Sequence, residues 1–231
     1  MKDVKALVFD VFGTLVDWRS SVAREVDALF GGRIDGSLFA DAWRAQYQPA
    51  MEEVRSGRLP FCTLDVLHRR NLDIVLERFG VQDFDDAARN ALNRVWHRLD
   101  AWPDVLPGLQ RLRAGYRLAP CSNGHIALMV DLARHNGFVW DAIVGAGLAR
   151  DYKPKPVVYL SAADAFDLEP HEVMMVAAHS SDLEAAAAAG LRTAFVARPD
   201  ECGPGRGETR AGCRVDLSVD SVLALAENMT D

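Results

Sequence analysis

An α/β fold is predicted for this 231-residue chain, with a parallel sheet and a helical region inserted after the first strand. Three observations predict it. The apolar run at residues 5–10 ends in an acid and is followed by Gly13-Thr14, which is typical of a buried strand that opens into a tight loop. Residues 18–99 show the apolar spacing of helices. After residue 103, strand-like and helix-like segments alternate, which indicates a parallel sheet with right-handed crossovers.

The inserted region is predicted to hold about four helices. Apolar residues recur in it at helical spacing, and runs of β-branched residues are almost absent. Breaks are expected near Gly31-Gly32, at residues 57–60 and near Gly80, because glycine and proline interrupt helices. We therefore expect a Rossmann-like core made of residues 1–16 and 101–231, and a helical cap domain made of residues 17–100.

The C-terminal part of the chain is predicted to supply the rest of the sheet. Further strands are expected at residues 116–121, 142–144, 173–177 and 193–196, and the last of these is expected to complete the rhythm. Helices are expected at residues 109–114, up to about residue 135, at 157–166 and at 180–189. The stretch 202–212, rich in glycine and arginine, is expected to be a mobile loop.

Composition and charge exclude several classes of function. The net charge is −7, and the basic residues are scattered, with no run longer than pairs such as Arg69-Arg70. A nucleic-acid partner is not expected, because no basic stripe can neutralise phosphates. A membrane is not expected either, because no stretch approaches the roughly 18 consecutive apolar residues of a spanning helix. The first apolar run is too short for a signal peptide, so a cytoplasmic location is expected.

The four cysteines are predicted to be free thiols. They lie far apart in the sequence and form no CxxC pair, unlike the cysteines of a disulfide framework. Cys202 and Cys213 could meet across a glycine-rich loop, but no histidine lies between or beside them to suggest zinc.

Four chemically useful segments fall at the same predicted edge of the sheet. Asp10, Ser122, Lys153 and residues 179–182 all lie at or just after predicted strand ends. In open α/β sheets, the carboxyl ends of the strands carry the ligand site. These segments are therefore expected to meet in one site.

Asp10 is the candidate nucleophile. It ends an apolar strand, so its carboxylate is expected to project into a sheltered mouth where it can attack a substrate. The alternative is an aspartate that caps a turn or a helix start. Thr14 is expected either to hold one carboxylate oxygen and aim the other, or to stabilise the loop.

Lys153 and the turn Ser122-Asn123-Gly124 are candidate anion-binding groups. A lysine close to Asp10 would keep that carboxylate ionised and stabilise anionic species during turnover. The turn joins a strand to a helix, so its side chains and backbone N–H groups can hold an anion at a helix N-terminus. The alternatives are a surface lysine and a plain turn with an N-cap.

The order of four motifs resembles the haloacid dehalogenase superfamily. The motifs are residues 9–15 around Asp10, Ser122-Asn123-Gly124, Tyr152-Lys153-Pro154, and an acid, Asp182, in the strand-to-helix segment 178–182. Together they extend over residues 7–182. The insertion after the first strand matches the helical cap of that superfamily.

Two positions argue against the phosphatase branch of the superfamily. Its members have a second acid two residues after the nucleophile, where this chain has Phe12, and another four residues before the last acid, where it has Ala178. Without these groups, too few oxygen ligands remain for Mg²⁺. Phosphoryl transfer without a metal leaves the phosphate charge uncompensated. No metal and no other cofactor is therefore expected.

The type II 2-haloacid dehalogenase subfamily works without Mg²⁺, and further segments resemble it. Trp43-Arg44, followed by Gln46, is similar to the cap segment whose arginine receives the departing halide. The resemblance implies roles for Asp10, Thr14, Arg44, Ser122, Asn123, Lys153, Tyr159 and Asp182. The expected site also includes His179 among the catalytic groups, and Phe12 and Gly124 among the groups that contact substrate or halide.

The last motif departs from the subfamily. Where the subfamily typically has Ser-Ser-Asn-x-Trp-Asp, residues 177–182 of this chain read Ala-Ala-His-Ser-Ser-Asp. Ser181 is expected to leave the pocket more polar and less filled than tryptophan would. His179 is expected to act with Asp182 as a general base for water, to donate an N–H to a small leaving group such as fluoride, or to hold the loop.

The expected function is metal-independent hydrolysis of short 2-haloalkanoic acids, fluoroacetate among the candidates, through an ester at Asp10. Two alternatives stay open: another hydrolase of the superfamily, such as a small-molecule phosphatase, and a non-catalytic module that binds an anion. Nucleotide binding by the sheet is not expected, because no GxGxxG follows the first strand. The expected partner is a small halogenated carboxylate, and the family likeness makes a homodimer plausible.

Overall fold

The structure, a computed structural model, describes residues 3–230 and is built on a six-stranded sheet. The strands are β1 (Ala6–Phe9), β2 (Arg117–Ser122), β3 (Val144–Gly145), β4 (Val173–Ala177), β5 (Arg192–Val196) and β6 (Leu217–Val219). Their order across the sheet is β3-β2-β1-β4-β5-β6, and every neighbouring pair is parallel. This confirms the predicted α/β class.

The course of the chain places a crevice at the end of β1. The chain fills one half of the sheet with β2 and β3 and then crosses to the other half with β4, β5 and β6, so β1 lies between the two halves. Phe9, the last residue of β1, is in register with Pro120 of β2 and Val176 of β4. A ligand site is expected at such a switch point, outside the carboxyl ends of the strands.

Five helices and a 3₁₀ turn follow β1. They are α1 (Trp18–Phe30), α2 (Gly36–Ala45), α3 (Tyr47–Arg55), α4 (Leu64–Arg78), α5 (Asp86–Asn93) and the 3₁₀ turn Arg94–His97. The predicted number of helices was slightly low, but the predicted breaks are confirmed. Gly31 ends α1 in the left-handed region, at φ 59°, where glycine carries no steric penalty.

The remaining helices flank the sheet. They are α6 (Val105–Leu112), α7 (Ile126–Asn136), α8 (Ala146–Ala149), α9 (Pro156–Asp164), α10 (Ser180–Ala188) and α11 (Val222–Thr230), with a short 3₁₀ turn at Pro170–Glu172. Alternate residues of β1 pack into different clusters: Leu7 with α6, α7, α11 and the inserted helices, and Val8 with α9 and α10. Both faces of β1 are buried, which explains why its sequence is a continuous apolar run.

One apolar cluster joins the sheet to the inserted helices. Leu7 of β1 belongs to the same cluster of buried residues as Trp18 of α1 and Trp43 of α2. The separation of residues 17–100 from the rest as a cap domain therefore stays a prediction. In residues 3–230, no helix is long and apolar enough to cross a membrane.

One sequence-based expectation about the C-terminal region was wrong. The strand at 193–196 does not complete the sheet, because β6 and α11 follow it. The stretch 202–212 is a loop, as expected, and it makes side-chain contacts: Glu208 accepts hydrogen bonds from the Ser180 backbone, and Arg206 pairs with Asp41. Its mobility stays a prediction. The prediction of free cysteines is confirmed, since all four are free thiols.

Candidate active site

A cavity of about 460 Å³ opens at the carboxyl ends of β1, β2 and β4. Its walls come from the ends of these strands, from the segment before α9 and from the inserted helices α2 and α3. The lining residues are Asp10, Phe12, Arg44, Tyr47, Gln48, Asn123, Lys153, Pro154, Tyr159, His179, Ser181, Asp182 and Glu208. Most of the residues that the sequence predicted therefore surround one space.

Asp10 is held rigidly at the end of β1. Its backbone N–H donates to the Val176 carbonyl at 2.9 Å, and its side chain is mostly buried. The Thr14 hydroxyl donates to Asp10 Oδ2 at 2.8 Å and accepts the Ala178 N–H at 2.9 Å. Thr14 thus ties one carboxylate oxygen to the β4 end, which matches the first of the two roles expected for it.

Lys153 lies between two buried carboxylates. Its Nζ is 3.3 Å from Asp10 Oδ1 and 2.7 Å from Asp182 Oδ2, while its backbone N–H donates to Asn123 Oδ1 at 2.8 Å. Burial alone would lower the pKa of Lys153, but the charges of Asp182 and Asp10 outweigh burial and raise it. The ammonium group therefore stays charged over the physiological pH range.

The two carboxylates next to Lys153 have opposite pKa shifts. Burial would raise the pKa of Asp10, but the charge of Lys153 and the hydrogen bond from His179 hold it below its usual value. For Asp182, burial outweighs Lys153 and raises the pKa. Tyr159 donates to Asp182 Oδ1 at 2.6 Å. Asp10 is thus kept ionised, and Asp182 is the more basic carboxylate.

His179 does not pair with Asp182, contrary to one sequence-based expectation. Its Nδ1 is 3.2 Å from Asp10 Oδ2, and its Nε2 is 2.9 Å from Glu201 Oε2. Burial alone would lower the pKa of His179, but the hydrogen bonds and charges of Asp10 and Glu201 raise it well above its usual value. The imidazole is therefore a second cation beside the Asp10 carboxylate.

Glu201 is a site residue that the sequence prediction missed. It is 5% exposed, and its Oε1 accepts a hydrogen bond from the Trp18 indole at 3.0 Å. Glu201 lies five residues after the end of β5, near the same edge of the sheet as the predicted groups. The rule that residues just after strand ends form the site pointed to Asp10 and Lys153. The same rule could have pointed to Glu201, but the stretch 202–212 that follows it was interpreted as a mobile loop.

Arg44 is a half-buried cation with free hydrogen-bonding capacity. It lines the cavity, and its guanidinium carbon lies 4.1 Å from the centre of the Tyr47 ring and 5.2 Å from that of Trp18. Its Nη1 is buried and has no hydrogen-bond partner within residues 3–230. A buried donor without a partner is costly, so this nitrogen is suited to an anion that arrives during turnover.

Phe12, Ser122 and Gly124 differ in how they meet the cavity. Phe12 lines it and packs edge-on against Tyr47 and Trp96. Ser122 is fully buried, and its hydroxyl accepts the Gly124 N–H at 3.0 Å. Neither Ser122 nor Gly124 is among the residues that line the cavity, so of the predicted turn only Asn123 reaches it.

The donor set at Asp10 does not fit the magnesium ion of the phosphatases. Phe12 and Ala178 offer no side-chain oxygen. Asp10 and Asp182 both contact the Lys153 ammonium, which would compete with a divalent cation for the same oxygens. Too few free oxygen ligands remain for an octahedral shell.

A second charged group lies away from the cavity, where the inserted helices meet α7. Asp65, His97 and His125 bring potential metal ligands within 4.8 Å of one another. However, His97 contacts Asp65 at 2.8 Å through Nε2 and Asp131 at 2.7 Å through Nδ1, and Arg94 donates to Asp131 at 2.8 Å. Protein groups already engage these carboxylates. We therefore assign Asp65, His97, His125 and Asp131, the junction cluster, to packing.

Comparisons with known sequences agree with this geometry. The family model of the haloacid dehalogenase-like hydrolases matches residues 4–190. The (S)-2-haloacid dehalogenase 1 of Pseudomonas sp. (strain CBS-3) is 30% identical over 202 residues, which cover 86% of this chain and 86% of that protein. A phosphoglycolate phosphatase of Nitrosospira multiformis is 25% identical, covering 81% of this chain and 80% of that protein.

Solved structures share the whole architecture. The crystal structure of a defluorinating L-2-haloacid dehalogenase is 43% identical, with a TM-score of 0.95 over 99% of this chain and 96% of that one. Another L-2-haloacid dehalogenase is 47% identical, with a TM-score of 0.94 over 98% of this chain and 99% of that one. The Xanthobacter autotrophicus L-2-haloacid dehalogenase, solved with chloropropionic acid covalently bound, is 25% identical, with a TM-score of 0.84 over 98% of both chains.

Proposed function

Since the chain belongs to the haloacid dehalogenase-like hydrolases, in their 2-haloacid dehalogenase branch, we propose that it hydrolyses short 2-haloalkanoic acids through an ester at Asp10. Fluoroacetate is among the substrates that we propose. The reaction needs no metal ion, because Lys153 and His179 supply the positive charge beside the nucleophile.

One observation carries the proposal: an ionised carboxylate and a guanidinium with a buried, unpartnered nitrogen line the same small cavity. Asp10 keeps its negative charge because of Lys153 and His179. Arg44 lines the same cavity with a buried Nη1 that has no protein partner in the described part of the chain. A carboxylate that attacks carbon must release an anion, and Arg44 provides a place for that anion.

The first step forms the ester and releases halide. A carboxylate oxygen of Asp10 attacks the carbon that bears the halogen, the carbon–halogen bond breaks, and the halide leaves with the bonding electrons towards Arg44. Asn123 and the other polar groups of the cavity wall, including Ser181, bind the carboxylate of the substrate. Phe12 and Tyr47 supply the apolar contact for the short alkyl chain.

The second step hydrolyses the ester. Asp182, with its raised pKa, takes a proton from water, and the water oxygen bonds to the carboxyl carbon of Asp10. The product is a 2-hydroxy acid whose new hydroxyl oxygen comes from Asp10. A single turnover in H₂¹⁸O should therefore leave the label in Asp10, and mass spectrometry of the peptide that contains Asp10 measures it. An unlabelled Asp10 would contradict the ester.

Two relatives support the finer parts of the proposal. One structural neighbour is a defluorinating enzyme, which favours fluoroacetate as a substrate here. Another was solved with chloropropionic acid covalently bound, which favours an ester intermediate. A cytoplasmic location and a homodimer stay predictions.

Halide release tests the function directly. We expect fluoride or chloride from fluoroacetate, chloroacetate and one enantiomer of 2-chloropropionate, at rates that EDTA does not change. The sequence likeness to a phosphoglycolate phosphatase makes the phosphatase the alternative. If no halide were released and a phosphate ester were cleaved in a Mg²⁺-dependent reaction, the protein would be a phosphatase rather than a dehalogenase.

A further inference from the structure

The two oxygens of the Asp10 carboxylate have different surroundings. Oδ2 accepts a hydrogen bond from Thr14 at 2.8 Å and is 3.2 Å from His179 Nδ1. Oδ1 has a single hydrogen-bond partner within residues 3–230, Lys153 Nζ, at a long distance of 3.3 Å. The lone pairs of Oδ1 are therefore the more available for attack on a substrate.

We propose that Asp10 attacks with Oδ1, and that Thr14 and His179 stabilise the negative charge on Oδ2 during ester hydrolysis. Glu201 is then the positioning residue that keeps His179 in place and protonated. This inference rests on the proposed function, because it assigns the atoms of the ester. The inference assigns a role to Glu201, which belongs to none of the four motifs identified in the sequence.

The roles of the two oxygens follow from the balance of the reaction. After alkylation, Oδ1 is the ester oxygen and Oδ2 is its carbonyl oxygen. Water then bonds to Cγ and gives a proton to Asp182, and the negative charge moves to Oδ2. When the Cγ–Oδ1 bond breaks, Oδ1 takes up that proton and leaves as the hydroxyl of the product. Asp10 keeps the water oxygen and releases the second proton of water to solvent, which restores its carboxylate. Donors fixed in advance around Oδ2 lower the barrier of this step.

Glu201 is built into the structure as a support for His179. Its Oε2 contacts His179 Nε2 at 2.9 Å, and its Oε1 is fixed by the Trp18 indole. Glu201 also packs against the loop that follows Asp10: a Cβ atom on Gly13 would come within 2.1 Å of Glu201 Oε1. Gly13 has a φ of 88°, so both its backbone and the space beside it demand glycine.

Formation of the ester makes Glu201 more important. The charged and titratable groups that act on His179 are Asp10, Glu201 and Cys202, with Lys153 beyond Asp10 and Arg44 beyond Glu201. Alkylation removes the charge of Asp10, and Glu201 is then the carboxylate that remains against the imidazole. The raised pKa of His179 therefore depends chiefly on Glu201 in the state that must be hydrolysed.

The experiment separates the two half-reactions in Glu201→Gln. With chloroacetate, rapid-quench kinetics should give about one equivalent of chloride per site at no less than the wild-type rate. Hydrolysis should then be about 10²-fold slower, as for loss of an oxyanion donor. Intact-protein mass spectrometry should detect the accumulated ester. Glu53→Gln, the same change at a glutamate paired with Arg70 on the surface, is the control and should behave as wild type.

The pH dependence gives a second readout. The rate constant of hydrolysis should fall as pH rises through the pKa of His179, because the imidazolium loses its proton. Glu201→Gln removes a charge that raises this pKa, so the fall should move to lower pH. A purely structural role of Glu201 would not move it.

His179→Ala tests whether Glu201 acts through the histidine. This change should also slow hydrolysis and accumulate ester, and adding Glu201→Gln to it should cause little further loss. Equal hydrolysis rates in Glu201→Gln and wild type, or losses that multiply in the double variant, would overturn the inference. Absence of chloride release by the wild type would instead remove the proposed function itself.

Discussion

Two histidines in this protein each lie between two carboxylates: His97 is buried, whereas the side chain of His179 is 27% exposed. His97, in the junction cluster, contacts Asp65 and Asp131. His179, beside the cavity, contacts Asp10 and Glu201. The pairing chemistry is the same at both places, so the pairing alone does not identify a catalytic histidine.

The surroundings of the carboxylates make the difference. The side chains of Asp65 and Asp131 are 24% and 38% exposed, and Arg94 contacts both of them. Those of Asp10 and Glu201 are 11% and 6% exposed, and Asp10 opens onto a cavity. Water and Arg94 thus weaken the charges of the junction cluster, whereas the charges around His179 stay strong in a less polarisable environment. The first arrangement stabilises the fold, and the second can act on a substrate.

The largest effect on the rate of halide release is expected from replacing an aspartate beside the cavity rather than one in the junction cluster. Asp10→Asn should reduce halide release on the order of 10⁴-fold or more, because a neutral amide is a poor nucleophile. Asp65→Asn should keep the wild-type rate. The steady-state rate of halide release is measured for both variants. Substantial activity in Asp10→Asn would show that another residue is the nucleophile.

The two arginines sharpen the contrast. Arg44→Lys should lower kcat by about 10²-fold, since the flexible ammonium loses the planar stack on Tyr47 and the fixed N–H donors for the halide. The matched change Arg94→Lys should leave kcat unchanged and alter the free energy of unfolding by no more than about 0.5 kcal/mol. An Arg44→Lys variant as active as wild type would show that the halide leaves in another direction.

The smallest expected effect concerns stability. His97→Asn should lower the free energy of unfolding by about 2 kcal/mol, because it removes two hydrogen bonds to carboxylates. Its kcat should stay at the wild-type value. Urea denaturation measures the first quantity and halide release the second. A loss of kcat with unchanged stability would mean that the junction cluster acts on the site.

The sheet and the position of Asp10 at its edge were predictable because their signals are local. Residues 5–10 form a buried apolar strand that ends in an acid, and Lys153 lies in a short motif before a helix. Strand β6 was missed because it has only three residues, with the exposed Ser218 in the middle, which is too short for a periodicity to appear.

Glu201 was missed because its role depends on distant contacts. It meets Trp18 across 183 residues of sequence and His179 across 22, and its own neighbourhood is rich in glycine. Ser122 was placed correctly at a strand end, but its hydroxyl turns inward to Gly124. The direction of a single side chain at a strand end is set by tertiary packing, which a motif does not describe.

The hydrogen bond from Trp18 to Glu201 has a consequence for timing. Trp18 is the first residue of α1, so the inserted helices contribute directly to the group that orients His179. If these helices swing outward to admit an acid, the indole N–H moves away from Glu201, and Glu201 then holds the imidazole of His179 less firmly. The proposed ester would therefore be hydrolysed fastest while the helices are closed over the cavity.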